Sequence, residues 1–185
     1  MRITGGRLAR RPIEAPRGDR TRPTTDRVRE ALFSIVAARM RLDGARVVDL
    51  FAGSGALGLE ALSRGAAHAT FVERHGATLA VARKNAGALG VVSRSAFVRA
   101  DVLAALAQDG GPLGTADLVL ADPPYDLEAV PDLPALVCPR LAPGGLFVLE
   151  HDARHAFAEA RGLVLTRAYG RTVVSVFEAE ASISP

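Results

Sequence analysis

One cysteine, Cys138, in 185 residues leaves no partner for an internal disulfide and fits a reducing compartment. A free cysteine is most often a small buried apolar group, and Cys138 is expected to be one. Half the chain is apolar. Even so, no run approaches the roughly eighteen residues that span a bilayer, so no membrane partner is expected. No charged segment followed by an apolar stretch opens the chain, which argues against secretion. Internal repeats and low-complexity tracts are absent from the sequence. Ser34, Ser54 and Ser63 stand in no nucleophile motif with a histidine and an acid, which removes support for a hydrolase. His151 and His155 have the i, i+4 spacing of two metal ligands, but no further Cys or His lies near to complete a site. The pair is expected on a surface helix, and no metal is expected. His68 and His75 receive no role.

What is present begins with arginine. Lys84 is the single lysine, and nine arginines fall between Met1 and Arg29 against Glu14, Asp19 and Asp26. That segment carries +6, whereas the remainder carries −3, so the overall charge of +3 hides a basic arm on a slightly acidic body. Arginine forks suit phosphate, and the segregation points to a nucleic acid. Residues 1–23, broken by Gly5, Gly6, Pro12, Pro16, Gly18 and Pro23, read as an irregular or hairpin-like extension of a catalytic domain over 24–185. Arg10, Arg11, Arg20, Arg22 and Arg27 are candidate phosphate contacts. Arg29 is a further possibility, although residues 27 and 29 cannot share a helix face.

Thr24, Thr25 or Asp26 can cap a helix running to about Met40, with Val28, Leu32, Ile35 and Val36 as its apolar stripe. Strand and helix then alternate. Strand-like runs lie at 47–51, 69–73, 96–99, 117–121 and 146–150, with helical stretches at 56–63, 77–89, 102–107 and around 133–137. A short helix near 153–160 precedes two final strands, 163–168 and 172–179, joined across Gly170 as a hairpin. This order predicts an α/β fold: a seven-stranded, mostly parallel sheet with helices on both faces and an antiparallel C-terminal edge hairpin. Ligands of such sheets bind beyond the C-terminal strand ends.

Asp122-Pro123-Pro124-Tyr125 stands at one such end. Proline fixes its own φ, biases its predecessor towards extended geometry and lacks an N–H. The result is a stiff turn with one carboxylate and one stacking face. Asp122 and the Pro123 carbonyl can accept the hydrogens of a planar amine while Tyr125 covers its ring, which is what methylation of an exocyclic nucleobase amine requires.

Gly53-x-Gly55-x-x-Gly58 closes the first strand. Alone it matches a dinucleotide fingerprint, with Glu73 near the place of the ribose-binding acid, so a nicotinamide-dependent oxidoreductase is a rival. Asp49, four residues before Gly53, tips the balance. A carboxylate there suits the cationic amino-acid part of a sulfonium cofactor and opposes a pyrophosphate. Hydride transfer also has no use for Asp122-Pro-Pro-Tyr. The two features together favour S-adenosylmethionine, with Glu73 accepting from ribose hydroxyls. Asp101 would accept from the adenine amine beside the Val102 N–H, a role compatible with capping a helix.

These residues together resemble the class I S-adenosylmethionine-dependent methyltransferases, a Rossmann-like fold. Arg2-Ile3-x-Gly5-Gly6, the stretch Arg22 to Phe33, Asp49 to Gly55, and Asp122 to Tyr125 occur in the order of the bacterial ribosomal RNA small subunit methyltransferase D family. The resemblance covers nearly the whole chain, and the stretch Arg22 to Phe33 is its most specific part. It implies transfer of methyl to N2 of a guanine in 16S ribosomal RNA, in the bacterial cytoplasm. A monomer acting on the small subunit or its precursor is expected. Phe51 and Arg74 join the implied cofactor set. Adenine N6 and cytosine N4, in RNA or DNA, remain alternative targets.

Overall fold

The apolar runs and helical stripes settle, in a computed structural model that describes residues 1–15, 26–108 and 115–179, around one seven-stranded sheet. The strands are β1 (Arg46–Leu50), β2 (His68–Glu73), β3 (Ser95–Arg99), β4 (Ala116–Ala121), β5 (Leu141–Asp152), β6 (Leu163–Tyr169) and β7 (Thr172–Glu178). The helices are α1 (Asp26–Ala37), α2 (Ala56–Ser63), α3 (Gly76–Leu89), α4 (Val102–Leu106) and α5 (Leu133–Val137). The strand order is β3-β2-β1-β4-β5-β7-β6. The first five strands pair in parallel, whereas β7 runs antiparallel to both β5 and β6. The order reverses direction between β1 and β4, which opens the crevice where α/β sheets bind ligands.

Strand alternation divides the core into two. Val47, Ala69, Phe71, Leu118, Leu120, Leu146 and Val148 face α1, α2 and α3, together with Ile3 and Ile13. Val48, Leu50, Val72, Val119, Ala121, Phe147 and Leu149 face α4 and α5. Successive side chains of a strand point to opposite faces, so one register sorts both layers at once.

The structure corrects several sequence expectations. The first helix stops at Ala37 rather than Met40, and its proposed caps Thr24 and Thr25 lie outside the described residues. Phe51 is not strand but the first residue of the turn, with φ 57°. The fifth strand starts at Leu141, five residues early, after a register shift between Ala116 and Leu118. No helix forms over 153–160. His151 and Asp152 instead finish β5, and the turns that follow are held by Phe157, whose ring meets Phe177 edge-on at 5.6 Å and His151 at 4.9 Å. His151 is therefore buried rather than on a surface helix. Its Nε2 lies 2.9 Å from Ser175 Oγ, and burial holds its pKa below the ordinary value. Cys138 is only half-buried, with its thiol pushed up to about 11 by burial.

The N-terminal residues fold back as a hairpin. Arg10 N–H donates to Ile3 O, and Ile13 N–H to Met1 O, at 2.8 and 3.0 Å. Gly6, at φ 76°, approaches α2 so closely that a Cβ there would lie 2.1 Å from Ser63 O. Glu60, fully buried on α2, takes Thr4 N–H (2.8 Å), Thr4 Oγ1–H (2.8 Å), Gly5 N–H (2.7 Å) and Arg64 Nε–H (2.8 Å). Arg29 on α1 adds its Nε at 3.4 Å and donates to Arg2 O and Asp26. One carboxylate thus joins the hairpin, α1 and the helix that follows the glycine turn.

Candidate functional site

The sheet brings four carboxylates to one edge and one face. Asp49 aligns with Phe71 on one neighbour and Leu120 on the other, and Leu120 aligns with Val148. Counting two residues on from each places Glu73, Asp122 and Glu150 on that same face, at the end of β2, just past β4 and two residues before the end of β5. This is the face that carries α1, α2 and α3. Taken in chain order, the acids lie 24, 49 and 28 positions apart in sequence, and parallel pairing assembles them.

The turn after β1 runs Phe51 (φ 57°), Gly53 (φ 54°) and Gly55 (φ 79°) in the left-handed region. Glycine tolerates that conformation without penalty. A Cβ on Gly53 would meet only Phe51 O at 3.9 Å, so the backbone there is open to a ligand. Gly58 has a different reason: a Cβ there would strike the Phe71 ring at 2.4 Å, so its lack of a side chain lets α2 lie on β2. Its N–H donates to Asp49 Oδ2 at 2.8 Å. Glu73 accepts Gly53 N–H at 3.2 Å and His75 N–H at 2.8 Å, tying the two adjacent turns together. Asn85 on α3 donates to Ser54 O (3.0 Å) and Glu14 O (2.9 Å) and accepts Glu14 N–H (2.8 Å), which links this turn to the end of the hairpin.

Asp49 is 1% exposed. Burial pushes its pKa well above the ordinary 3.8, the Gly58 N–H opposes this, and the charges of Asp122 and Glu73 push it further up. The strand register places Glu73 and Asp122 on the same face as Asp49. A cation bound among them would favour the ionised form of Asp49, so these acceptors suit a positively charged group better than a pyrophosphate. Asp49 takes the Gly58 N–H, one of the N–H groups at the start of α2 that an anion would use.

The second wall is the turn Asp122–Tyr125. Pro123 is buried, Asp122 and Pro124 are half-buried, and Tyr125 is 47% exposed. Leu127 N–H closes the turn on Pro124 O at 3.0 Å. Arg154, gripped by Asp152 at 2.8 Å through Nε, donates to Tyr125 O at 2.8 Å. The Tyr125 hydroxyl is raised in pKa by burial and then by Asp122 and Glu150, against a hydrogen bond with Thr172 that lowers it.

The other expected residues divide. Asp101 caps α4, its Oδ1 accepting Ala104 N–H at 3.1 Å, and stays exposed. The Val102 side chain belongs to the core. Arg74 is exposed and donates to His75 Nε2 at 2.9 Å. Arg10 and Arg27 are exposed. Arg11 donates to Leu89 O at 3.3 Å and to Ala88 O, so it closes the C-terminal end of α3 instead of pointing its fork outward. Arg29 is fully buried and serves Glu60, which removes it from any phosphate surface. Arg20 and Arg22 lie outside the described residues. Sequence reasoning passed over Glu60, Asn85 and Glu150. Only an acid or amide inside an apolar helix or strand pattern, as at Leu59-Glu60-Ala61 or Leu149-Glu150, could have marked them.

A family model described as "Conserved hypothetical protein 95" matches residues 1–178. A "Putative rRNA methyltransferase YlbH" of Bacillus subtilis is 36% identical over 187 residues, covering 96% of this chain and 98% of the relative. A "Ribosomal RNA small subunit methyltransferase D" of Escherichia coli is 42% identical over 125 residues, covering 68% of this chain and 60% of that protein. Among solved structures, a "Putative methyltransferase yhhF from Escherichia coli" superposes with a TM-score of 0.82 at 33% identity, over 98% of this chain and 99% of that one.

Proposed function

Because the chain belongs to the ribosomal RNA small subunit methyltransferase D family, we propose that it transfers a methyl group from S-adenosylmethionine to the N2 amine of a guanine in 16S ribosomal RNA. One observation carries this reading: the glycine turn after β1 and the Asp122–Tyr125 turn after β4 close adjacent parallel strands, with Leu50 registered on Ala121. A donor held by the first faces an amine held by the second.

Gly53 and Gly55 offer open backbone for the cofactor, Glu73 offers acceptors for ribose hydroxyls, and Asp101 with the Val102 N–H stands ready for the adenine. Phe51 and Arg74 border the same turns. Asp49 acts from behind the glycine turn, shaping it through Gly58 and lending negative potential to a cationic ligand. The cofactor supplies a methyl group already activated on a sulfonium. The chain's own task is the nucleophile, because an aromatic amine delocalises its lone pair into the ring. Asp122 and the Pro123 carbonyl accept the two amine hydrogens and draw the nitrogen towards tetrahedral geometry. Orientation of this kind supplies much of the acceleration in two-reactant steps. After transfer the nitrogen is acidic and sheds its proton towards Asp122. Unstacking the base costs a few kcal/mol, which Tyr125 offsets by stacking worth about 1–3 kcal/mol.

Exposed Arg10 and Arg27, with Arg20 and Arg22, are the arginines assigned to RNA phosphate. The hairpin carrying Arg10 is fastened to α1 and α2 through Glu60, Ser63 and Arg29. The nicotinamide reading loses ground because Asp49 sets a carboxylate on the Gly58 N–H at the start of α2, where a pyrophosphate would bring like charge.

The test is transfer of radiolabelled methyl from S-adenosylmethionine to small ribosomal subunits that lack the modification, followed by nucleoside analysis. Label in N2-methylguanosine is the expected result. Label in N6-methyladenosine or N4-methylcytidine would keep the amine chemistry and overturn the base. No transfer, with thermal stabilisation by a nicotinamide nucleotide alone, would overturn the whole reading, since a ligand that binds the native state raises its stability.

A further inference from the structure

Glu150 has no task in the reaction as described above, yet it stands two residues before the end of β5 with 5% of its surface exposed. The β4–β5 register runs Leu120 on Val148 and Ala121 on Leu149, so the next position beside Asp122 on that face is Glu150. Neighbouring strands lie about 4.8 Å apart. On its other side Glu150 pairs with Val174 of β7, so it sits on an interior strand that cannot shift without breaking two ladders. Its charge reaches Tyr125, the residue placed against the ring of the substrate base. Asp49 and Glu73 lie on the opposite side of Asp122 and spend oxygens on the N–H groups of Gly58, Gly53 and His75. Asp122 and Glu150 are therefore the two acids that border the Tyr125 side of the site.

An ionised carboxylate accepts hydrogen bonds and cannot donate them. The three candidate bases differ at the ring nitrogen next to the reacting amine. Guanine presents N1–H, a donor; adenine N1 and cytosine N3 present lone pairs. An acceptor-only group beside Asp122 matches the first and repels the other two. We propose that Glu150 selects guanine, accepting its N1–H while Asp122 grips the neighbouring amine. The proposal rests on the reading of Asp122 and Tyr125 as the amine-binding turn. With two oxygens, Glu150 can keep an internal contact and still accept from the base. Selection then arises from strand register, which sets Glu150 beside Asp122 on one face of the sheet.

The experiment uses the full chain and reconstituted small subunits. The methylated guanine is first mapped, and the RNA is then rebuilt by ligation with 2-aminopurine at that nucleotide. 2-Aminopurine keeps the amine but has a lone pair at N1. The wild type should favour guanine in kcat/KM by about 10- to 100-fold, the range for a hydrogen bond to a charged group. Glu150→Gln, whose amide can donate to that lone pair, should narrow the ratio to within a few-fold by losing activity on guanine and gaining it on 2-aminopurine. The same variant should bind S-adenosylmethionine as the wild type does in calorimetry. A merely structural Glu150 would lower both substrates together and leave the ratio fixed, and that outcome overturns the proposal, as does a wild type that treats both bases alike. Should Glu150→Gln not fold, Glu150→Asp replaces it: activity falling on guanine alone supports the proposal, and an equal fall on both overturns it. Mapped label on adenine or cytosine would instead overturn the parent reading, and the two failures are told apart at the mapping step.

Discussion

Replacing Glu60 by glutamine preserves the shape of the side chain and removes one charge from the most heavily used acceptor described in the protein. Glu60 and Arg29 are both fully buried, 31 residues apart, and Glu60 also holds Thr4, Gly5 and Arg64. An amide in its place turns two donor hydrogens towards groups that are themselves donors. Whichever way it is oriented, one of the two clusters, Thr4 N–H with Arg29 or Gly5 N–H with Arg64, faces an N–H instead of an oxygen. Breaking a buried ion pair from one side costs about 3–5 kcal/mol, because the remaining charge is left without compensation. Arg29 retains Asp26 at 2.9 Å, which places the expected loss near the lower end, about 3 kcal/mol. For a domain of this size each kcal/mol lowers Tm by about 2–4 °C, so a fall of roughly 6–12 °C is expected. Urea unfolding followed by far-UV circular dichroism measures it, with the m-value unchanged if the native and unfolded states keep their compactness. Hydrogen exchange at Ile3 and Ile13 should accelerate more than exchange in β4 or β5, because the hairpin is what Glu60 fastens. A loss under about 1 kcal/mol, the range of exposed pairs, with Ile3 still protected, would refute the reasoning: Glu60 would then be one contact among many.

Three further outcomes follow from the site. Asp122→Ala should abolish methyl transfer while calorimetry finds S-adenosylmethionine bound nearly as before; lost cofactor affinity would take Asp122 out of the amine-binding role. Tyr125→Ala should lower kcat/KM by about 10- to 100-fold, the worth of one base–aromatic stack, and Tyr125→Phe should restore most of it; a phenylalanine variant as inactive as alanine would assign the work to the hydroxyl. Asp49→Asn tests the linkage between burial and pH. The native pKa of Asp49 is raised, by burial first, so its stabilising contribution is present below the unfolded value near 3.9 and is lost as pH rises through the folded one. The Tm of Asp49→Asn relative to wild type should therefore climb as pH rises above about 4, while its cofactor affinity falls; a pH-independent Tm difference would show that the Asp49 pKa is not raised.

Much of this protein was legible from local chemistry. The alternation of β-branched runs with helical stripes specified the parallel sheet and its antiparallel edge, since periods of two and of about 3.6 are properties of single segments. The glycine turn and the Asp122–Tyr125 turn were legible for a similar reason: proline and glycine restrict or free their own φ wherever they stand. The failures have one physical cause. Arg11, Arg27 and Arg29 look alike in a sequence, yet one closes a helix end, one faces solvent and one lies fully buried. Burial of a guanidinium is decided by whether a carboxylate waits inside, and for Arg29 that carboxylate is 31 residues away. His151 was misplaced because its partner Ser175 arrives from β7. The sequence by itself determined which segments become strands and helices and which turns carry glycine, proline and acid. Only the tertiary structure decided that Asp49, Glu73, Asp122 and Glu150 share one edge of one face, because register between parallel strands is set by long-range pairing that no local pattern contains.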